Sequence, residues 1–141
     1  MQKILLAVDG SESSQHALAH VIKRASGAKD QIQVLLVNVQ HAVHGGVSAF
    51  VNAGQLKQLH HEEGMKVLEG PRSMLDSAGV SYSHHLFVGD PAEIITRFAH
   101  DKGCDEIVIG TRGLSGIGSL LMGSVATKII HLADVPVLLV K

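Results

Sequence analysis

The chain has 141 residues, of which 45% are hydrophobic and 18% are charged, and this composition excludes a disordered chain. The length suffices for one domain, residues 1–141, with its own hydrophobic core. Twelve Lys and Arg against thirteen Asp and Glu leave a formal charge of -1, and aromatic residues make up 3%. This balance excludes a basic stripe for a duplex and stacking platforms for single strands, so we expect no nucleic acid partner.

Cysteine usage and hydropathy indicate the compartment. Cys104 is the only cysteine, which excludes an internal disulfide and favours a reducing environment. No segment approaches the roughly 20 apolar residues that a membrane span needs, and the run from Ile4 to Val8 is too short for a signal peptide. We therefore predict a cytoplasmic protein with no membrane attachment, in which Cys104 is a buried, unreactive thiol.

Apolar runs of strand length recur along the chain. They cover residues 4–8, 34–39, 107–109 and 135–140, with a weaker and more polar run at 80–88. The four strong runs are continuous rather than alternating, which is typical of parallel strands buried on both faces. Because the weaker run is the most polar, we expect it at an edge of the sheet.

Helical patterns lie between these strands. Apolar side chains at helical spacing predict helices near 17–25, 55–77, 94–98 and 121–132. Asp90-Pro91 is typical of a helix start, with Asp as the N-cap and Pro at the first helical position. Two segments are harder to interpret. Residues 41–54 are read as a loop, and Gly70-Pro71 predicts a kink or a break into two helices.

The predicted order is therefore β-α-β-α-β-α-β-α-β. Strands that alternate with helices favour an α/β fold with right-handed crossovers and helices on both faces of a parallel sheet. We expect a single-domain, doubly wound, five-stranded sheet in the order 3-2-1-4-5 with four helices.

Two predicted strand ends carry residues suited to binding an anion. Asp9-Gly10-Ser11 follows the first strand, and a segment with five glycines in fourteen residues, 110–123, follows the fourth. Glycine permits close backbone approach, and the next helix offers unpaired amides. In a parallel sheet both ends lie at the edge where ligands bind. A plain flexible loop is an equally open interpretation, because the P-loop Lys and the three-glycine dinucleotide pattern are both absent.

The glycine spacing resembles a family pattern. Gly110-x2-Gly113-x9-Gly123-Ser124 is similar to the G-x2-G-x9-G-[S/T] pattern of nucleotide-binding universal stress proteins. The opening segment, residues 3–11, and the second and last predicted strands also resemble that family. The resemblance covers essentially the whole chain.

This resemblance implies a Rossmann-like fold that binds ATP, with or without Mg²⁺, or AMP or ADP, between the first and fourth strands. It assigns Asp9 to the ribose hydroxyls and the backbone of Val39 to the adenine. It assigns the phosphates to four residues of the glycine pattern, namely Gly110, Gly113, Gly123 and Ser124. The candidate cofactor-binding set is completed by Ala7 near the adenine, by Arg112 and by Val125.

Binding without rapid turnover is the function this site favours. Phosphoryl transfer needs charge stabilisation and a positioned base, and the glycine segment contributes only Arg112 as a cation. We expect a stress-response sensor whose nucleotide-dependent conformation is recognised by a protein partner. The alternatives are a slow ATPase or adenylate-type transferase in the same cleft, and a nucleotide-free dimeric interaction module.

Two further features suggest surfaces. His16 and His20 are four residues apart on the first helix, but a metal site needs three or four ligands, so we expect both at the surface. The last predicted strand, residues 135–140, is apolar and uncharged, and the expected strand order places it at an edge. It predicts a C₂ homodimer through antiparallel pairing, which the family resemblance also implies.

Overall fold

The computed structural model describes residues 1–42, 52–112 and 122–141. The strands are β1 (Gln2–Ala7), β2 (Ile32–Gln40), β3 (Ser81–Val88), β4 (Glu106–Gly110) and β5 (Val137–Val140). The helices are α1 (Glu12–Gly27), α2 (Ala53–Ser77), α3 (Pro91–Asp101) and α4 (Ser124–Leu132). All neighbouring strands pair in parallel, in the order β3-β2-β1-β4-β5, which confirms the predicted architecture and the edge position of the most polar strand.

The core consists of two layers, one on each face of the sheet. Alternate residues of β1 and β2, such as Leu6 and Leu36, pack with α1 and α2 on one face. The intervening residues, such as Leu5 and Val37, pack with α3 and α4 on the other. All four of these side chains are fully buried. The continuous apolar runs are explained by this double burial, because each strand needs apolar residues at odd and even positions.

A kink or a break was predicted at Gly70-Pro71. The second helix is continuous, so the break is wrong, and the kink stays a prediction. Pro71 cannot donate to the carbonyl of Val67, and a side chain on the preceding residue would normally clash with the proline ring in helical geometry. Gly70 has no Cβ, which removes that clash. Leu68 and Leu75, on either side of Pro71, are fully buried, and their packing on the sheet holds the two halves in one helix.

Two boundaries also differ from expectation. The second helix begins at Ala53 instead of Gln55, because the Asn52 side chain accepts a hydrogen bond from the Gln55 amide and the Gln55 side chain accepts one from the Asn52 amide. Of the predicted loop at 41–54, residues 43–51 lie outside the described residues. The last strand begins at Val137 instead of residue 135. Pro136 still contributes its carbonyl, which accepts from the Ile107 amide.

Cys104 is buried, with 5% of its surface exposed, as expected. Burial raises the pKa of its thiol, which favours the unreactive protonated form at neutral pH. Of the two first-helix histidines, His16 is exposed and His20 half-buried. Within the described ranges, no group of three or more His, Cys, Asp or Glu is arranged to hold a metal ion. No helix in these ranges combines the length and apolar character that crossing a bilayer requires.

Candidate functional site

The site lies where β1 and β4 run side by side and end at the same edge of the sheet. Ala7 and Ile109 are paired in register, so the chain leaves both strands at nearly the same level. After β1 it enters α1 on one face, and after β4 it reaches α4 on the opposite face. In open parallel sheets, the usual ligand position is the crevice where two connections diverge to opposite faces in this way, and we call this position the crevice below.

The turn after β1 holds the Asp9 carboxylate at this crevice. Gly10 has a φ of +85°, a conformation that residues with a Cβ rarely adopt, and it reverses the chain into α1. Asp9 Oδ1 accepts a hydrogen bond of 2.9 Å from the Ser11 amide, and the Asp9 amide donates to Ser14 Oγ at 3.1 Å. The half-buried carboxylate is thereby fixed through one oxygen. In the described ranges, no group donates a hydrogen bond to its second oxygen.

Asn38 supports this turn from β2 and was missed by the sequence reasoning. It is 2% exposed, and its Nδ2 donates to the Val8 carbonyl at 2.8 Å. Its Oδ1 accepts from Gln40 Nε2 at 2.8 Å. The side chain therefore satisfies a carbonyl at the end of β1 and positions the residue that precedes Asp9. A polar residue inside the apolar run 34–39 was the signal that could have identified it.

Gly110 is required for the contact between β4 and α1. A Cβ at this position would lie 2.4 Å from Ser13 Oγ, 2.7 Å from the Ser13 carbonyl carbon and 2.8 Å from the Ser14 amide nitrogen. Two of these atoms belong to the backbone and cannot move without shifting the first turn of α1. Gly110 was predicted to bind phosphate, and that role stays a prediction, but close helix packing by itself explains why this residue is glycine.

Hydroxyl groups of α1 anchor the chain where it leaves β4. Ser11 Oγ and Ser13 Oγ both donate to the Arg112 carbonyl, at 3.1 Å and 2.7 Å. The Arg112 amide donates back to Ser13 Oγ at 3.3 Å. The backbone of Arg112 is thus held against α1 while its side chain is exposed. These serine contacts were not predicted, because they join segments almost a hundred residues apart.

The glycine segment returns to the same place at Gly123. The Gly123 amide donates to the Thr111 carbonyl, so the ends of the segment meet beside β4. Gly123 is the N-cap of α4 and has no side chain to accept from the first turn. Helix N-termini carry unpaired amides and a partial positive charge, so the start of α4 at Ser124 offers donors to an anion. Gly113, also predicted to hold phosphate, lies outside the described residues.

The apolar members of the predicted set share one face of the sheet. Ala7, Val39 and Val125 all belong to the layer that packs with α3 and α4. Ala7 is buried, whereas Val39 and Val125 are half-buried at the carboxyl edge. The structure therefore brings these three residues to the same side as the start of α4. The assignment of the adenine to this side remains a prediction.

An ion cluster lies beside the start of α4. Lys128 Nζ contacts Asp90 Oδ2 at 3.0 Å and Glu93 Oε1 at 3.4 Å, linking α4 to the first turn of α3. The hydrogen bond from the Glu93 amide and the contact with Lys128 lower the pKa of Asp90, with a smaller contribution from His41. The hydrogen bond to Asp90 raises the pKa of Lys128. Both shifts favour the charged forms of Asp90 and Lys128 at neutral pH.

A second concave region, of about 360 Å³, lies on the opposite face between α1 and α2. Its lining includes Gly10, Lys66 and Pro71. Gly10 lies in the turn after β1, and Ser14, whose hydroxyl accepts from the Asp9 amide of that turn, also lines this region. The Asp9 carboxylate and the start of α4 are not part of its wall.

Sequence comparison identifies the family. A model of the universal stress protein family matches residues 1–141. The chain belongs to the universal stress protein family. It is 34% identical over 140 residues to universal stress protein MJ0531 of Methanocaldococcus jannaschii, covering 99% of this chain and 82% of that protein. It is 31% identical over 145 residues to universal stress protein YxiE of Bacillus subtilis, covering 99% and 98%.

Structural comparison places this universal stress protein in the same fold. The solved structure of MJ0577, a universal stress protein of M. jannaschii, has a TM-score of 0.87 to this chain at 31% sequence identity. The match covers 99% of this chain and 95% of that one. The five-stranded order is therefore a feature of an established family fold.

Proposed function

We propose that this universal stress protein binds an adenine nucleotide in the crevice between β1 and β4 and acts as a nucleotide-dependent sensor. The observation that carries the proposal is the arrangement at the switch point. The half-buried Asp9 carboxylate and the uncapped start of α4 at Gly123 flank the same crevice, from opposite connections of the sheet. A nucleotide requires an acceptor for its ribose hydroxyls, which a carboxylate supplies, and donors for its phosphates, which the helix amides supply.

Solved proteins of this fold support the ligand class. An Arabidopsis thaliana protein of the family, 22% identical to this chain, was solved with AMP bound. Universal stress proteins at 23% and 24% identity were solved in complex with cAMP and with dAMP, the latter from Archaeoglobus fulgidus. The fold thus accommodates adenine nucleotides, and we extend that property to this chain as part of the proposal. ATP, alone or with Mg²⁺, is the ligand we propose.

Each candidate residue receives a role in this proposal. Asp9 accepts from the ribose through the oxygen that the Ser11 amide leaves available. The backbone of Val39, next to Ala7 and Val125, contacts the adenine. The amides at the start of α4 bind phosphate, with the exposed Ser124 hydroxyl beside them. Gly110, Gly113, Gly123 and Arg112 form the predicted remainder of the phosphate segment.

Sensing is proposed in preference to turnover because of the charges at the crevice. Of the glycine segment, residues 110–123, only Arg112 is a cation, and its side chain is exposed. Rapid phosphoryl transfer depends on cations directed at the transferred group. Cytoplasmic location and recognition by a protein partner complete the proposal and follow from the sequence expectations.

Calorimetric titration of the nucleotide-stripped protein with ATP and Mg²⁺ tests this function. We expect saturable binding that Gly123→Val abolishes, because the added side chain fills space at the uncapped start of α4. The matched control is Gly27→Val, at the opposite end of α1, where a Cβ meets nothing within 4 Å. Equal binding by wild type and Gly123→Val, or no binding by wild type, contradicts the proposal.

We also propose a homodimer through β5. The carbonyl of Pro136 accepts from the Ile107 amide in β4, and the carbonyl of Val140 accepts from the Thr111 amide directly after β4. Because successive residues of a strand point their backbone groups in opposite directions, Val137 and Leu139 direct theirs to the free edge. Pro136 therefore removes no donor from that edge. Ile130 and Leu132, nearly half exposed at the end of α4, add apolar surface close to β5 in the chain.

Sedimentation tests the dimer. Val137→Pro removes an outward-facing donor and leaves the carbonyls that bond to β4 in place, so we expect a shift from dimer to monomer with the melting transition retained. A wild-type protein that sediments as a monomer contradicts the proposed pairing.

A further inference from the structure

Lys128 lies within reach of the start of α4. It is four residues after Ser124, which places both on one side of the helix, separated by about 6 Å along its axis. Helical side chains lean toward the N-terminus, so an extended Lys side chain spans that distance. Its Nζ contacts Asp90, the N-cap of α3, which places the ammonium at the same edge of the sheet as the crevice.

In the nucleotide-free protein this ammonium is held by two carboxylates. Asp90 Oδ2 and Glu93 Oε1 lie 3.0 Å and 3.4 Å from it, and the cluster carries two negative charges and one positive. The side chains of Lys128 and Asp90 are 46% and 44% exposed. Ion pairs this exposed are weak, so a more highly charged partner can displace the carboxylates.

Phosphate chains are such a partner. Each phosphate adds negative charge next to the first turn of α4, and charge-assisted hydrogen bonds to phosphate are about twice as strong as neutral ones. The terminal phosphates of a di- or triphosphate extend farther from the ribose than the single phosphate of AMP.

We propose that Lys128 determines how strongly the site prefers ATP and ADP over AMP. This inference rests on the proposed function. Lys128 is held by Asp90 and Glu93 when the crevice is free and transfers to the terminal phosphates when ATP or ADP is bound. The two carboxylates compete for the ammonium and set the size of the preference. Nucleotide binding thereby releases the ion pairs that Lys128 of α4 makes with Asp90 and Glu93 at the start of α3.

The test is a set of dissociation constants for adenosine, AMP, ADP and ATP at one Mg²⁺ concentration. For Lys128→Met we expect ATP and ADP binding to weaken by about tenfold, the effect of losing one charged hydrogen bond, with AMP and adenosine changed less than about twofold. For Asp90→Asn we expect ATP to bind about two- to fivefold more tightly, because a competing carboxylate is removed while Asn still caps α3.

Lys66→Met is the matched control. Lys66 is also paired with a glutamate, Glu63 at 3.5 Å, but lies on α2 on the other face of the sheet. We expect it to leave the ratio of ATP to AMP affinity unchanged. Melting curves of all variants check that the fold is retained. The ratio of ATP to AMP affinity is a second safeguard, because a uniform loss of folded protein leaves this ratio unchanged.

The outcomes separate this inference from the proposed function. Wild-type protein that binds AMP and ATP, with a ratio that Lys128→Met leaves unchanged, overturns the inference alone. Equal weakening of adenosine and ATP in Lys128→Met also overturns it, because that result indicates a general structural role. Absence of any nucleotide binding by wild type overturns the proposed function and the inference together.

Discussion

Gly110→Ala is expected to lower the free energy of unfolding by about 1–3 kcal/mol, the usual cost of overpacking a well-packed contact. The added Cβ would lie 2.7 Å and 2.8 Å from backbone atoms of Ser13 and Ser14. Relief requires the first turn of α1 to move away from β4. Urea unfolding of wild type and variant measures the change.

The same displacement affects the crevice. Ser13 holds the Arg112 backbone, and Ser14 accepts from the Asp9 amide. A shift of this turn therefore moves both flanks of the proposed site, and we expect nucleotide binding to weaken along with stability. Gly27→Ala is the control, since its Cβ meets nothing within 4 Å and Ala favours the helix by about 0.5–1 kcal/mol. A free energy of unfolding in Gly110→Ala equal to that of wild type would contradict the close contact between β4 and the first turn of α1.

Asp9→Ala is expected to weaken ATP binding by about 10- to 100-fold, which corresponds to losing a hydrogen-bond partner that is charged. The loss has two physical sources. The oxygen that faces the ribose disappears, and so does the acceptor at 2.9 Å that shapes the turn to Ser11. Isothermal titration measures the affinity, and thermal unfolding records the accompanying change in stability.

Asp9→Asn separates these two sources. Asn retains an oxygen that accepts from the Ser11 amide, so the turn is preserved, but it lacks the negative charge. We expect stability close to that of wild type and an affinity between those of wild type and Asp9→Ala. Wild-type ATP affinity in Asp9→Ala would exclude Asp9 from the site.

The architecture could be predicted from the sequence because its signals are local and repeated. Continuous apolar runs such as the one from Val34 to Val39 report burial on both faces, and Asp90-Pro91 marks a helix start that the structure shows with a hydrogen bond of 3.0 Å to the Glu93 amide. Handedness and connection rules then leave few topologies. The strand order required no information about individual contacts.

The continuity of α2 could not be predicted because tertiary packing decided it. Proline alone signals a break, and the sequence contains Pro71 in the middle of the helix. The outcome depends on the absence of a Cβ at Gly70 and on the burial of Leu68 and Leu75 against the sheet. Local propensity is a weak guide where two flanking turns are held by a common core.

The supporting contacts of the site were missed for a different reason. Asp9 and Gly123 were identified from their positions after strand ends, but their partners come from distant parts of the chain. The link from Ser13 to Arg112 and the link from Lys128 to Asp90 join elements that only the folded sheet brings together. Sequence spacing contains no signal for such pairs. Gly110 belongs to the predicted phosphate pattern, but the structure also gives it a role in packing β4 against α1 that the pattern does not indicate.

The location of the nucleotide is the central claim, and amide chemical-shift mapping during an ATP titration tests it most directly. We predict saturable shifts at Asp9, at Val39, and from Thr111 through the start of α4 at Ser124. We predict no change at Lys66 or Pro71 in the groove between α1 and α2. Shifts centred on that groove, or no saturable shifts at all, would contradict the account.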